Sequence, residues 1–328
     1  MATMIPSTAS RAGARLDGSS LRGSSHRHGR RWWDSPPPLH AVAVGVGQVV
    51  AAQRAAQGPQ IVATRVEPLA PGVLAMEEGQ LRVREGERLS MALRSALSGV
   101  GGEGEEIILL LPESTARVTR LEFEHLPRAG EQVRELLLFR LRKSLPYDAA
   151  EAALSWQKHG DEHHLLTLVG NRHVLNEYED AAEAAGARAV SVLPAALTAL
   201  VGLPSQQQGT LLLQGDTVQC TAAFLWDDRL QFYRTTPAGP SGQVEFDDLY
   251  QALAYYRDFL ASREEGEDLI RPRIIAAGLA EDLIERLRSE AEDSEVLDAD
   301  RLRGWLPAPL DTHAAEGLAL TGAFLNAF

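Results

Sequence analysis

The side chains with chemical potential in this sequence are few, and their spacing does not bring them together. His159, His163 and His164 crowd one turn, Lys158-His159-Gly160-Asp161-Glu162-His163-His164. A metal needs three or four convergent ligands in fixed geometry, which neighbouring histidines on a hairpin tip do not provide, so the three are read as solvated turn residues. Cys220 is the one cysteine. It excludes an intrachain disulfide and fits a reducing compartment. No serine or cysteine nucleophile motif stands beside a histidine, there is no Cys-x-x-Cys, and no carboxylates pair at a recognisable spacing. Arg30-Arg31-Trp32-Trp33 sets a basic pair beside two indoles. Such a group can sit at an anionic membrane surface, or belong to a floppy tail or an early start site.

Composition narrows the classes further. The 328 residues are 45% hydrophobic, enough to bury a sizeable core in two domains or one bilobal one. The formal charge of −13 argues against nucleic-acid backbone as a partner, because phosphate neutralisation calls for a basic face. The sign is uneven. Residues 1–40 carry six arginines and two aspartates, a net of about +4, which leaves the rest more acidic still. Residues 1–38 lack any apolar period and are expected to be disordered. No apolar h-region follows the arginines, so they form no secretory signal. No apolar run reaches the roughly 18 to 20 residues that span a bilayer.

The positioning elements are organised around Glu131–Trp156. Val133, Leu136, Leu137, Leu141 and Leu145 recur at helical spacing, and Pro146 is expected to stop the helix because it lacks an amide hydrogen and pushes Leu145 out of the α region. After a turn, Ala153–Gln157 is expected as a strand. Upstream, Ala41–Val50 reads as a hairpin around Gly45 and Gly47, Gln60–Leu69 as a third strand, and Leu81–Leu97 as a helix. Ile107–Leu111 reads as a strand covered on both sides, and Ala116–Phe123 alternates well enough for a second strand. Downstream, Leu165–Val169 is a strand, Arg172–Ala185 a helix closed by Gly186, Ala189–Leu193 a strand, and Pro194 opens a helix through Leu203. Gly209–Thr236 reads as a three-strand meander, Glu245–Arg263 and Ala280–Ala291 as helices, and residues 314–328 as a closing helix. Such alternation indicates an α/β fold.

The central helix, the Leu145-Pro146-Tyr147 turn and the Ala152-Ala153-Leu154-Ser155-Trp156 strand resemble the signature of the PilM family, actin-like proteins of type IV pilus assembly. The resemblance runs from about Leu39 to Phe328. It implies an actin-like (ribonuclease H-like) two-lobed fold with an inserted α+β subdomain in the first lobe and a reduced or absent second-lobe lid. The implied divisions are a basic tail over 1–38, a first lobe over 39–155 with the insertion at about 70–155, and the rest of the chain over 156–328. In actin-like proteins two hairpins and a glycine-rich turn cradle phosphate. Here those loops correspond to Gly45 and Gly47, to Gly215, and to Gly278, but the acid positions hold Gly45 and Leu213 and the lysine position falls near Ala52. Asp216 stands on the far side of the second turn.

The resemblance therefore implies a non-hydrolysing, non-catalytic scaffold without cofactor, ATP with Mg²⁺ being the alternative ligand. It implies a cytoplasmic protein at the inner membrane that binds the cytoplasmic tail of a PilN-like inner-membrane protein and links it to other platform or motor components. The tail would lie in the groove between the first lobe and its inserted subdomain. Candidate contact residues are Phe139, Arg140, Leu145, Tyr147 and Trp156, with Arg140 standing where the family pattern has glutamate. The alternatives are the actin-like cytoplasmic module of type II secretion, resembling GspL, and a weak actin-like ATPase.

Overall fold

The computed structural model describes residues 38–159, 161, 163–203, 209–227, 229–239, 244–262, 273–291, 294–298, 301–302 and 314–326. The chain begins with an antiparallel meander, β1 (His40–Val44), β2 (Gln48–Arg54) and β3 (Ile61–Pro68). A small hairpin follows, β4 (Leu74–Glu77) and β5 (Gln80–Val83), then α1 (Gly86–Ser98) and β6 (Glu106–Leu111). Next come β7 (Ala116–Glu122), α2 (Gly130–Leu141), β8 (Ala152–Lys158), β9 (His164–Asn171), α3 (Arg172–Ala184), β10 (Arg188–Pro194) and α4 (Ala195–Gly202). A second meander, β11 (Thr210–Gly215), β12 (Gln219–Trp226) and β13 (Arg229–Pro237), leads to α5 (Phe246–Ala261), β14 (Arg273–Ala277), α6 (Glu281–Glu290), β15 (Glu295–Leu297) and α7 (Ala314–Asn326).

The strands form two five-stranded sheets with one connectivity. The first runs β3-β2-β1-β6-β10 and the second β13-β12-β11-β14-β15. In each, three antiparallel strands are joined to two parallel ones, the parallel members entering through helical crossovers. The continuous apolar runs Ile107–Leu111 and Ile274–Ala277 are the central parallel strands, buried on both faces as such runs must be. Among the described residues only α5 stands between β13 and β14. One core cluster joins both sheets through α4 and α7, with Ala43 and Leu110 on one side and Leu212 and Ile275 on the other of Leu318, Ala319 and Phe324.

The helices α4 and α7 cross so closely that side chains are excluded. A Cβ on Gly322 would overlap the Thr198 carbonyl oxygen, and one on Gly202 would come within 2.7 Å of the Leu318 carbonyl oxygen. Glycine is therefore required there by backbone approach rather than by turn geometry.

The insertion is a three-stranded antiparallel sheet, β7-β9-β8, with α2 on its outer face. It begins and ends later than the expected 70–155, because β6 belongs to the first sheet and β4, β5 and α1 pack on that sheet. An apolar run announces burial but not which sheet will bury it. Leu81 and Val83 lie in β5 rather than in the expected helix. The turn that makes the hairpin is Glu78-Gly79, both at positive φ (51° and 77°), a primed turn without the usual Asn-Gly signal. The helix α2 stops at Leu141, four residues before Leu145. Ser144 ends it, its amide and hydroxyl both donating to the Leu141 carbonyl at 2.8 Å, ahead of the proline expected to do so.

Candidate functional site

Two surfaces follow from this architecture: the cleft where the meander hairpins meet, and a groove beside the insertion. In the cleft, the β1–β2 turn is closed by the Gly45 amide donating to the Gln48 carbonyl at 2.8 Å. The β11–β12 turn is closed by Asp216, whose Oδ1 accepts from the amides of Val218 (2.8 Å) and Gln219 (2.9 Å). Gly278 presses on this second turn, at φ 69°, with room for no Cβ against the Gly215 carbonyl. Between the hairpins stands Glu316, in the first turn of α7, where a carboxylate meets the positive end of the helix. Gln48 Nε2 donates to Glu316 Oε1 at 2.9 Å, and a Cβ on Gly45 would lie 3.3 Å from that same oxygen. The glycine at the acid position thus leaves room for a carboxylate that arrives from the far end of the chain.

The cleft is acidic and dry. Glu113, just after β6, is 4% exposed; its Oε1 accepts from the Ala196 amide at the start of α4. Burial pushes its pKa up to about 8, with the charge of Asp216 adding to the effect. Burial also raises Asp216, and Glu316 contributes in the same direction. The remaining groups acting on these two are backbone amides and Gln219, so among the described residues no cation offsets the carboxylates. Gln219 ties the lobes together instead, its Oε1 accepting from the Ser114 amide at 2.9 Å. A triphosphate placed here would meet Glu113, Asp216 and Glu316 without a lysine, and Asp216 already spends one oxygen on its own turn. The residues present do not fit a nucleotide with its metal. Among the described residues no group of three or more His, Cys, Asp or Glu is arranged to hold a metal ion.

The groove lies between the first sheet and the insertion. Leu111 of β6, Val192 of β10, Thr115, and Ala153, Ser155 and Leu168 of the inserted sheet line one apolar pocket. Two edge strands flank it, β10 of the first sheet and β8 of the inserted one, each with one ladder side unpaired among the described residues. Ser155 is 5% exposed, and its hydroxyl has no hydrogen-bond partner among the described residues. A buried orphan of this kind costs about 1–3 kcal/mol until something supplies the missing bond.

The expected contact residues fall on the other side of the inserted sheet. Along β8, Ala152, Leu154 and Trp156 face α2, whereas Ala153 and Ser155 face the groove, as the two-residue period requires. Leu145 and Tyr147 join Trp156 against the core formed with Val133, Leu137 and Leu141. The Tyr147 hydroxyl is accordingly pushed up to about 12 by burial, with Arg117 opposing. Phe139 and Arg140 are exposed on the outside of α2. The structure brings Leu145, Tyr147 and Trp156 together as core and does not bring any of the five to the pocket.

The three histidines make separate contacts, and not all are solvated as the sequence suggested. His159 is half-buried and its Nε2 lies 2.9 Å from the Leu230 carbonyl of the second lobe. His163 contacts the Phe123 carbonyl, and His164 contacts Asp161. Arg30, Arg31, Trp32 and Trp33 lie outside the described residues. Sequence reasoning missed Glu113, Glu316 and Ser155. A glutamate following a buried five-residue run was a readable signal for the first. Glu316 reaches Gln48 across 268 positions of sequence, and nothing local announces it.

No helix among the described residues is long and apolar enough to cross a membrane. No protein-family model and no curated protein matches the sequence. Solved structures do. The chain is similar to one in the PilM-PilN type IV pilus biogenesis complex, at 13% identity and a TM-score of 0.63 over 87% of this chain and 97% of that one. It is also similar to the cytoplasmic domain of EpsL, an inner-membrane component of the type II secretion system of Vibrio cholerae (16% identity, 78% of this chain and 95% of that one, TM-score 0.42). A third is a Bacteroides thetaiotaomicron protein with an actin-like ATPase fold (9% identity, 82% and 94%, TM-score 0.46). At these identities the likeness defines the fold, which is actin-like and two-lobed.

Proposed function

We propose that this chain is a non-hydrolysing actin-like scaffold whose groove between β8 and β10 takes an extended peptide, the cytoplasmic tail of a PilN-like inner-membrane protein. The observation that carries the reading is the pairing of two open strand edges with an apolar pocket and an orphaned hydroxyl. An extended segment adds main-chain bonds along β8 or β10. One apolar side chain enters between Leu111, Leu168 and Val192, and a polar group meets Ser155. The likeness to a PilM-PilN complex supports a partner of that kind. The acidic cleft supports the absence of turnover, because Glu316 stands where charge compensation for phosphate would be needed. Such a protein works in the cytoplasm, held at the inner membrane by its partner and connecting it to other assembly components.

The test is a titration of the full chain with a synthetic tail from the candidate partner, repeated with Ser155→Trp, which fills the pocket without touching the α2 side of the sheet. Saturable binding that weakens more than about tenfold in the variant, with thermal stability retained, supports the groove. Equal binding by both proteins refutes it. Calorimetry with Mg-ATP addresses the cleft separately: micromolar affinity would overturn the non-hydrolysing reading and favour an actin-like ATPase.

A further inference from the structure

The outer end of α2 carries side chains that neither the cleft nor the groove uses. Val133, Leu137 and Leu141 are the buried positions of the helix. Phe139, two residues on from Leu137, points the opposite way and is 60% exposed. The Arg142 guanidinium sits 4.4 Å from its ring centroid, and that of Arg140 lies 5.7 Å from the Phe123 ring. Lys143 follows, and Arg117 is drawn to the same place by donating to the Ser144 carbonyl at 2.9 Å. From Leu136 to Tyr147 the sequence has three cations and no acid, on a chain with a net charge of −13. Arg134, nearer the helix start, is the one that pairs, with Glu131 at 3.9 Å. Among the described residues Arg117, Arg140, Arg142 and Lys143 pair with no carboxylate.

We propose that this end of α2 docks on an anionic lipid surface, with Phe139 entering the interfacial layer and Arg117, Arg140, Arg142 and Lys143 meeting headgroup phosphates. The shape favours a bilayer over an acidic polypeptide. A single ring stands out from a helix end with cations around it, and the apolar pocket that would seat a peptide side chain opens on the other face of the sheet. Aromatic rings flanked by cations suit the headgroup layer, where the ring is partly desolvated and the charges stay wet. Apart from the basic residues 1–40, the acidic remainder is repelled by the same surface, which orients the folded part of the molecule with this end toward it.

The full chain is tested by flotation with vesicles of phosphatidylcholine, with and without phosphatidylglycerol. Binding is expected only with the anionic lipid, falling as salt rises. Each cation removed weakens an attachment of this type about fivefold, so Arg142→Ala with Lys143→Ala reduces partitioning about 25-fold. Phe139→Ala reduces it as well, and Phe139→Trp reports insertion by a blue-shifted emission on the anionic vesicles. All three substituted positions are exposed, so thermal unfolding is unchanged and loss of binding is not loss of fold. A companion variant, Arg30→Ala with Arg31→Ala, separates the basic N-terminal segment. Binding abolished by that change and untouched by the α2 variants overturns the proposal, as does failure of the full chain to float with anionic vesicles. The vesicles contain no protein, so the outcome is independent of the peptide groove.

Discussion

Replacing Glu113 by glutamine tests the physics of the acidic cleft. The carboxyl is 4% exposed, lies beside Asp216, and is held near a pKa of about 8 by burial. The folded state therefore keeps a proton that the unfolded chain has already released between the ordinary value of 4.5 and about 8. With more protons bound in the folded state, stability must fall as pH rises through that window. Each pH unit costs about 1.4 kcal/mol, and relaxation of the site brings the total to about 2–4 kcal/mol. Glutamine keeps a carbonyl for the Ala196 amide and cannot ionise. Glu113→Gln should thus gain about 2–4 kcal/mol on the parent between about pH 4.5 and about pH 8, whatever constant offset the amide introduces. Urea unfolding followed by tryptophan fluorescence at intermediate pH values measures the difference directly. Parallel stability profiles for the two proteins would show that Glu113 does not hold a proton in the fold, and the account of a dry cleft would fail.

Two further outcomes follow from packing. Gly322→Ala places a methyl group on the Thr198 carbonyl, so the α4–α7 crossing must open; a loss of about 2–4 kcal/mol in chemical denaturation is expected, and a loss below about 0.5 kcal/mol would show that the helices separate freely. Cys220 is 2% exposed and its thiol is pushed up to about 12 by burial, with Asp248 and Asp216 adding to it. A thiol-specific disulfide reagent at mildly alkaline pH should leave it unmodified in the native protein and label it fully in urea; rapid native labelling would contradict that burial.

Much of the fold was legible because its signals are local. The buried strands Ile107–Leu111 and Ile274–Ala277, the Gly186 cap at φ 92°, and the meander from Thr210 to Pro237 stand where apolar runs and turn residues put them. The limits of the insertion were not legible, since β6 and β7 follow one another as strands and only their pairing assigns them to different sheets. The groove shows the same boundary. Its place beside the insertion followed from the resemblance, and Trp156 was expected as a wall because it belongs to the resembling strand, whereas strand alternation turns the small Ala153 and Ser155 toward the pocket. The cleft depended on contacts between distant segments, Gln48 with Glu316 and Ser114 with Gln219, for which one sequence carries no pattern.

The two sheets repeat one strand order, and α4 and α7 each come after the fifth strand of their own half in chain order and meet in the core shared by both sheets. Main chain touches main chain there, at Gly322 and Thr198, with no flexible side chain between to let one helix slide along the other. A swivel of the halves about that contact would leave it closed, whereas a shear would drive the two backbones into each other. Glu316 lies six residues along α7 from Gly322, a lever arm of about 9 Å, so a swivel of about 10° carries it about 1.5 Å. Such a displacement breaks its 2.9 Å bond to Gln48 while the backbone contact stays closed. Any opening of the molecule would therefore register first at the carboxylate wedged between the hairpins.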